Sequence, residues 1–182
     1  MNVIVNNSII AVEVDLMGAQ MQSIKTVLSG MEYLWQGDPK SWADRAPNLF
    51  PIVGVVPDNK YTFQGLEYEM PIHGFVKKCN FEVISQTNTK AILKNSATEN
   101  TKINYPFDYD FIIKYETSGN TLEITHQVKN NSDCNMPFSM GEHPGFRVPL
   151  TAERHMLSDG IIAFLYNHLY CSRCEERSDV AI

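Results

Sequence analysis

Between Phe107 and Tyr115 every second residue is large and apolar: Phe107, Tyr109, Phe111, Ile113 and Tyr115. Leu122, Ile124, His126 and Val128 carry the same pattern through TLEITHQVK. A period of two puts alternate side chains on opposite faces of an extended chain, so each run reads as a strand with one buried and one wet face. Between the runs lies SGN, Ser118 to Asn120, with the residues a hairpin turn requires. His126 falls on the apolar face, which predicts a core histidine with one satisfied hydrogen bond.

The same logic extends toward the N-terminus. Val3–Val5, Ile9–Val14, Gln20–Leu28, Glu32–Trp35, Tyr61–Phe63, Leu66–Met70, Phe81–Ser85 and Ala91–Leu93 read as short strands with turn residues between them. That spacing predicts an all-β fold, an antiparallel β-sandwich. No amphipathic helix is expected before about residue 155, and no internal repeat is visible. Asp38 to Pro57 carries Pro39, Pro47, Pro51, Pro57 and Gly54. Proline cannot donate to a strand ladder, so this stretch reads as a long structured loop of the kind that carries function. After residue 150 the alternation stops. Asp159 to Tyr170 reads as a short helix capped by Ser158 or Asp159, followed by the unpatterned, polar CSRCEERSDVAI, expected to be disordered. Two regions are thus expected: 1–150 as β-sandwich and 151–182 as a tail.

The chain of 182 residues is 43% hydrophobic with a net charge of −6. It is long enough to bury a core without disulfide or metal staples. An acidic balance argues against nucleic acid or an anionic membrane as the partner. MNVIVNNSII has neither a basic leader region nor a cleavage motif, and no apolar run reaches bilayer length, so a cytoplasmic protein is expected. Cys79, Cys134, Cys171 and Cys174 are too scattered for a disulfide framework, and a lone CxxC lacks the second pair of a zinc ribbon. They read as structural or incidental thiols.

Of the five histidines, two stand out. His73, in MPIHGFVKK, and His143, in MGEHPGFRVP, each lie beside a glycine and a phenylalanine at a strand end or loop. Glycine permits close backbone approach, and an aromatic ring offers a platform for a sugar or another ring. His155 and His168 lie in the tail and read as solvated. Arg45, in WADRAPNLFPIVG, has the planar donors to clamp vicinal oxygens, or to pair with Asp44 or Asp38 on the surface. Trp35, Phe50, Phe75 and Phe146 are candidates to stack on a sugar ring or to fill the core.

The strings GMEYLWQGDPKSWADRAPNLFPIVG, IHGFVKKCNFEV and MPFSMGEHPGFRVPL, in that order, resemble the aldose 1-epimerase (mutarotase) family, in particular a bacterial branch with an arginine before P-x-LFP, an HGF box and a GxHP-F box. The resemblance covers roughly residues 1–150. It implies the galactose mutarotase-like supersandwich with a sugar cleft on one face. It also implies interconversion of the α and β anomers of a free hexose without metal or organic cofactor. By motif, His143 is the general acid for the ring oxygen, Arg45 and His73 grip sugar oxygens, and Phe75 lies at the sugar. The chemistry suits an imidazole, which titrates near neutrality and can give and take a proton.

In the family the matching base is a glutamate from the C-terminal part, and residues 151–182 offer no box like it. The abrupt loss of alternation reads as replacement of that region, so catalysis is expected to be impaired in an incomplete sandwich. Glu142 is adjacent to His143, and on an extended segment it faces the opposite way. Lys77 stands where the family commonly has arginine. A carbohydrate-binding protein without turnover is therefore the alternative. A hexose-phosphate mutarotase is a lesser one, resting on Lys77, Lys78 and Arg147.

Overall fold

A computed structural model describes residues 1–148 and the short segments 160–163 and 168–171. In chain order the strands are β1 Asn2–Asn6, β2 Ile10–Asp15, β3 Gln20–Thr26, β4 Asn48–Leu49, β5 Lys60–Phe63, β6 Leu66–Glu69, β7 Glu82–Gln86, β8 Lys90–Ser96, β9 Tyr109–Ser118, β10 Thr121–Asn130, β11 Pro137–Glu142, β12 Gly145–Val148, β13 Gly160–Ala163 and β14 His168–Cys171. The α-helix among the described residues is one turn, Glu99–Lys102, closed by a reciprocal capping box between Thr98 and Thr101. None of the helices among the described residues is long and apolar enough to cross a membrane.

The long hairpin sets the register. Phe111 lies across from Val128, Ile113 from His126 and Tyr115 from Ile124. All six side chains are buried, as the alternation requires. Strands β8 and β7 extend this sheet in the order β10-β9-β8-β7. The meander β1-β2-β3 covers its apolar face, with Val3, Val5, Val12, Val14 and Met21 joining one core with Phe111, Ile113 and Tyr115. Two antiparallel layers facing each other across that core form a β-sandwich. Phe50 is the aromatic hub: it stacks on Phe111 at 4.9 Å and packs at 5.0 Å on Tyr109 and 5.9 Å on Tyr105.

Three expectations change. Glu32–Trp35 is not a full strand and pairs only through isolated bridges, Glu32 with Lys25 and Leu34 with Phe146. The proline-rich stretch is not simply a loop. Strand β4 pairs with β11, and the ladder continues as Gly145 N–H donates to Arg45 O and His143 N–H to Pro47 O. Ser139 N–H donates to Pro51 O. Prolines 47 and 51 enter this ladder through their carbonyls alone, so the missing amide proton costs nothing there. Finally, the helix expected over Asp159–Tyr170 does not form. β13 pairs with β12 and β14 with β11, so open strand edges decide the conformation where local propensity is ambiguous. The disorder expected beyond Tyr170 falls on residues 172–182, outside those described.

Candidate functional site

The 45–51 segment is the rail on which the site is built. On one side runs 139–145 with His143. On the other, Phe50 forms a parallel bridge with Gly74, and Phe75 and Val76 N–H both donate to Phe50 O. Gly74 has φ +71°, and a Cβ there would sit 2.1 Å from Phe50 O. Only glycine lets the HGF segment come this close.

His73 precedes it in a left-handed conformation, φ +63°, which is uncommon for a residue with a side chain. Two hydrogen bonds hold it there. His73 N–H donates to Gly54 O at 2.8 Å, and Gly54 N–H donates to His73 Nδ1 at 3.0 Å. An Nδ1 that accepts leaves the proton of the neutral ring on Nε2, so Nε2–H is the donor His73 can offer.

This brings the His73 ring to His143. Their centroids are 6.3 Å apart at an interplanar angle of 47°. The His143 ring also packs on Trp42 at 5.0 Å. Burial holds both imidazoles below the usual histidine pKa. For His73, the proximity of His143 and the Lys77 ammonium add to the lowering. For His143, Asp44 pulls upward and Lys77 downward. Lys77 Nζ meets Asp44 Oδ2 at 3.2 Å. The two histidines, Trp42 and this ion pair thus form one half-exposed group.

The other sequence candidates are placed less directly. Arg45 lies across the ladder from Gly145, two residues past His143, and its Nη1 donates to Gln22 O at 2.6 Å. Phe75 packs its ring on the core, 6.4 Å from Tyr105 and 6.5 Å from Tyr109. Phe50 is wholly buried. Trp35 donates through Nε1 to Trp42 O at 2.8 Å and so braces the tryptophan that touches His143. Trp42 carried no sequence signal of its own, and Asp44, read from the sequence as a possible partner of Arg45, pairs with Lys77 instead. They sit inside a matched box, but only the fold shows what they touch.

Behind His143 the side chains reverse. Glu142 is 5% exposed, and its Oε1 has no hydrogen-bond partner. Burial pushes its carboxyl up to about 8. Across the ladder from it, Asn48 Oδ1 accepts from His126 Nε2–H at 2.9 Å, and its Nδ2 donates to Gly18 O and Ala19 O at 3.0 Å each. Tyr115 Oη donates to Ala19 O at 2.7 Å. His126 is therefore the satisfied core histidine its strand position predicts. Among the described residues no three His, Cys, Asp or Glu side chains gather as a metal-ligand set. His155 and the side chain of His168 lie outside the described residues.

Comparison with known proteins matches this architecture. Protein LacX of Lactococcus lactis subsp. lactis is 33% identical over 162 residues, 82% of this chain and 52% of that protein. A galactose mutarotase related enzyme from Lactobacillus acidophilus superposes with a TM-score of 0.83 at 35% identity, covering 85% of this chain and 52% of that one. A galactose mutarotase-like protein from Lactobacillus casei gives 0.80 at 29% identity, covering 84% and 52%. The chain thus spans about half the length of these relatives. The sequence model of the aldose 1-epimerase family matches residues 2–175, past the end of the three boxes at Leu150. With most of its length matched in sequence and its sandwich matched in space, the chain belongs to the aldose 1-epimerase family.

Proposed function

We propose that this chain carries the acid side of a sugar-anomer isomerase, an aldose 1-epimerase site acting on a free hexose such as glucose or galactose. The observation that carries the reading is the His73–His143 pair: two imidazoles from distant boxes, 6.3 Å apart, both half-exposed beside an aromatic wall. In the protonated form His143 delivers its proton to the ring oxygen as the C1–O5 bond breaks. The anomeric hydroxyl gives up its proton to a base, and the open-chain aldehyde forms. Rotation about C1–C2 and reclosure, with both proton movements reversed, give the other anomer. A depressed imidazole is a stronger acid when protonated, which suits donation to an ether-like oxygen. His73, held with Nε2–H as its donor, grips a sugar oxygen. Arg45 contributes from across the ladder. Phe75 acts from below, as a core ring that seats the HGF segment.

One observation favours a second reading, sugar binding without turnover. Among the described residues the carboxylates nearest the pair are committed elsewhere: Asp44 to Lys77, and Glu142 to the core. His73 Nδ1 is occupied by Gly54 N–H. A base for the anomeric hydroxyl is thus not offered by these groups.

Polarimetry on freshly dissolved α-glucose and α-galactose tests both. The isomerase reading predicts relaxation faster than buffer and a loss of about 10²–10⁴-fold in kcat/KM for His143→Ala. A rate equal to buffer, with sugar-dependent shifts of the His73 and His143 imidazole resonances, supports binding alone. Neither acceleration nor shifts ends both readings.

A further inference from the structure

Asp44 and Lys77 come from the two stretches that flank the histidines. Asp44 lies between Trp42, packed on His143 at 5.0 Å, and Pro47, whose carbonyl accepts from His143 N–H. Lys77 lies in the one-turn 3-10 helix Val76–Lys78, just after His73 and Gly74. Its backbone packs tightly on Gly18, where a Cβ would come within 2.6 Å of Lys77 O. The side chains are 29% and 37% exposed, at the wet rim of the imidazole pair rather than in the core.

We propose that the Asp44–Lys77 ion pair is a positioning element of the two-histidine site: it ties the wall carrying Trp42 to the turn after His73 and fixes two opposite charges at the rim of the imidazole pair, so that the two rings stand in unequal surroundings. For its kinetic consequence this rests on the sugar-isomerising reading; for its effect on the rings it does not.

An exposed ion pair adds little to stability, so stability is a poor account of this one. A lysine alone, on its flexible four-carbon stem, would spread its charge over many positions. Asp44 removes that freedom. The two charges then act unequally on the two rings. His73 is affected by Lys77 and His143, both of which oppose its protonation. His143 is affected by Lys77 and also by Asp44, which favours its protonation. The other charged groups close in sequence face elsewhere: Glu142 is buried on the opposite side of the ladder, and Arg45 donates to Gln22 O. Two equivalent imidazoles would compete for one proton. An asymmetric pair of fixed charges makes the rings unequal, which is how neighbouring titratable groups acquire separate acid and donor roles.

The test is an NMR pH titration of the imidazole resonances in the full chain and in Lys77→Met, Lys77→Arg and Asp44→Asn, with folding checked by far-UV circular dichroism. Lys77→Met is expected to move both midpoints upward. Asp44→Asn is expected to move His143 downward and His73 less. Lys77→Arg, which keeps the charge, is expected to stay with the wild type. Loss of packing alone would not drive the two variants in opposite directions. Midpoints for Lys77→Met and Asp44→Asn within about 0.1 pH unit of wild type would overturn the proposal. If Lys77→Met does not fold, Asp44→Asn against Lys77→Arg decides by the same criterion. With sugar, Asp44→Asn is expected to lower kcat/KM at pH 7 about two- to tenfold, with KM changed less. Shifted midpoints in a protein that does not accelerate anomer relaxation leave this proposal standing and the isomerase reading fallen. Unshifted midpoints in an active protein do the reverse.

Discussion

Glu142 and Asn48 face each other across the ladder between β11 and β4, one residue away from the pairing of His143 with Pro47. The ladder therefore has two chemistries back to back. On one side are imidazoles open to a ligand. On the other, a carboxyl, an amide and the His126 ring are sealed in the core.

The sealed carboxyl sets the alkaline side of stability. The Glu142 pKa is raised by burial from 4.5 to about 8. Between those values the unfolded chain releases a proton that the native state keeps, so stability falls as pH rises and the full cost is present above 8. Glu142→Gln is expected to stabilise the protein little at pH 4.5 and by up to roughly 4 kcal/mol at pH 9, less whatever the new amide fails to pair. Urea midpoints of the two proteins across that range should diverge steadily. Parallel curves would mean the carboxyl is ionised in the native state.

His126 sets the acid side. Burial pushes its ring down from 6.5 to about 4. Below 6.5 the unfolded chain takes up a proton that the native ring refuses, so this contribution to stability is lost as pH falls and is gone by about 4. The amount is roughly 3 kcal/mol. In His126→Gln, which keeps a polar partner for Asn48, stability should fall as pH rises from about 4.5 to 6.5, because the Glu142 slope is then no longer offset. Between about 4.5 and 6.5 the slopes of His126 and Glu142 oppose each other, and the wild type should show a plateau.

Gly74→Ala is expected to be among the most damaging small substitutions. The added carbon meets Phe50 O at 2.1 Å, and φ is +71°, so neither space nor backbone accepts it. A loss of about 2–4 kcal/mol is expected, read as a lower melting temperature. The same variant should weaken sugar binding, because His73 is the preceding residue. Wild-type melting with wild-type binding would show that the HGF segment can retreat from Phe50.

His73 should be visible as a tautomer. Gly54 N–H occupies Nδ1, so the ¹⁵N spectrum at pH 8 should give His73 an Nε2–H pattern. A predominantly Nδ1–H ring would contradict the donor role assigned to it.

The strands were largely readable. The alternations through β9 and β10 give correct faces because both residues of each pair obey the same period. The histidine boxes were readable as motifs, and Glu142 faces away from His143 as an extended segment demands. Other features hid for physical reasons. β4 is two residues long between prolines, and its pairing uses proline carbonyls that no pattern of amide donors advertises. The left-handed backbone of His73 is imposed by Gly54 and leaves no trace in residue type. Trp42 and Asp44 matter through long-range contacts with His143 and Lys77. The helix expected over Asp159–Tyr170 failed because a local reading cannot see that β11 and β12 each have a free edge for β14 and β13.

The rail at residues 45–51 also bears on how the molecule is made. Arg45, His73 and His143 sit on stretches far apart in the chain that the rail brings together, so most of the chain must be synthesised before the three can meet. Contacts this remote in sequence form slowly, because each closes a long loop. Sugar recognition should therefore be among the last properties to appear during refolding, after the β9–β10 hairpin has already given its β signal.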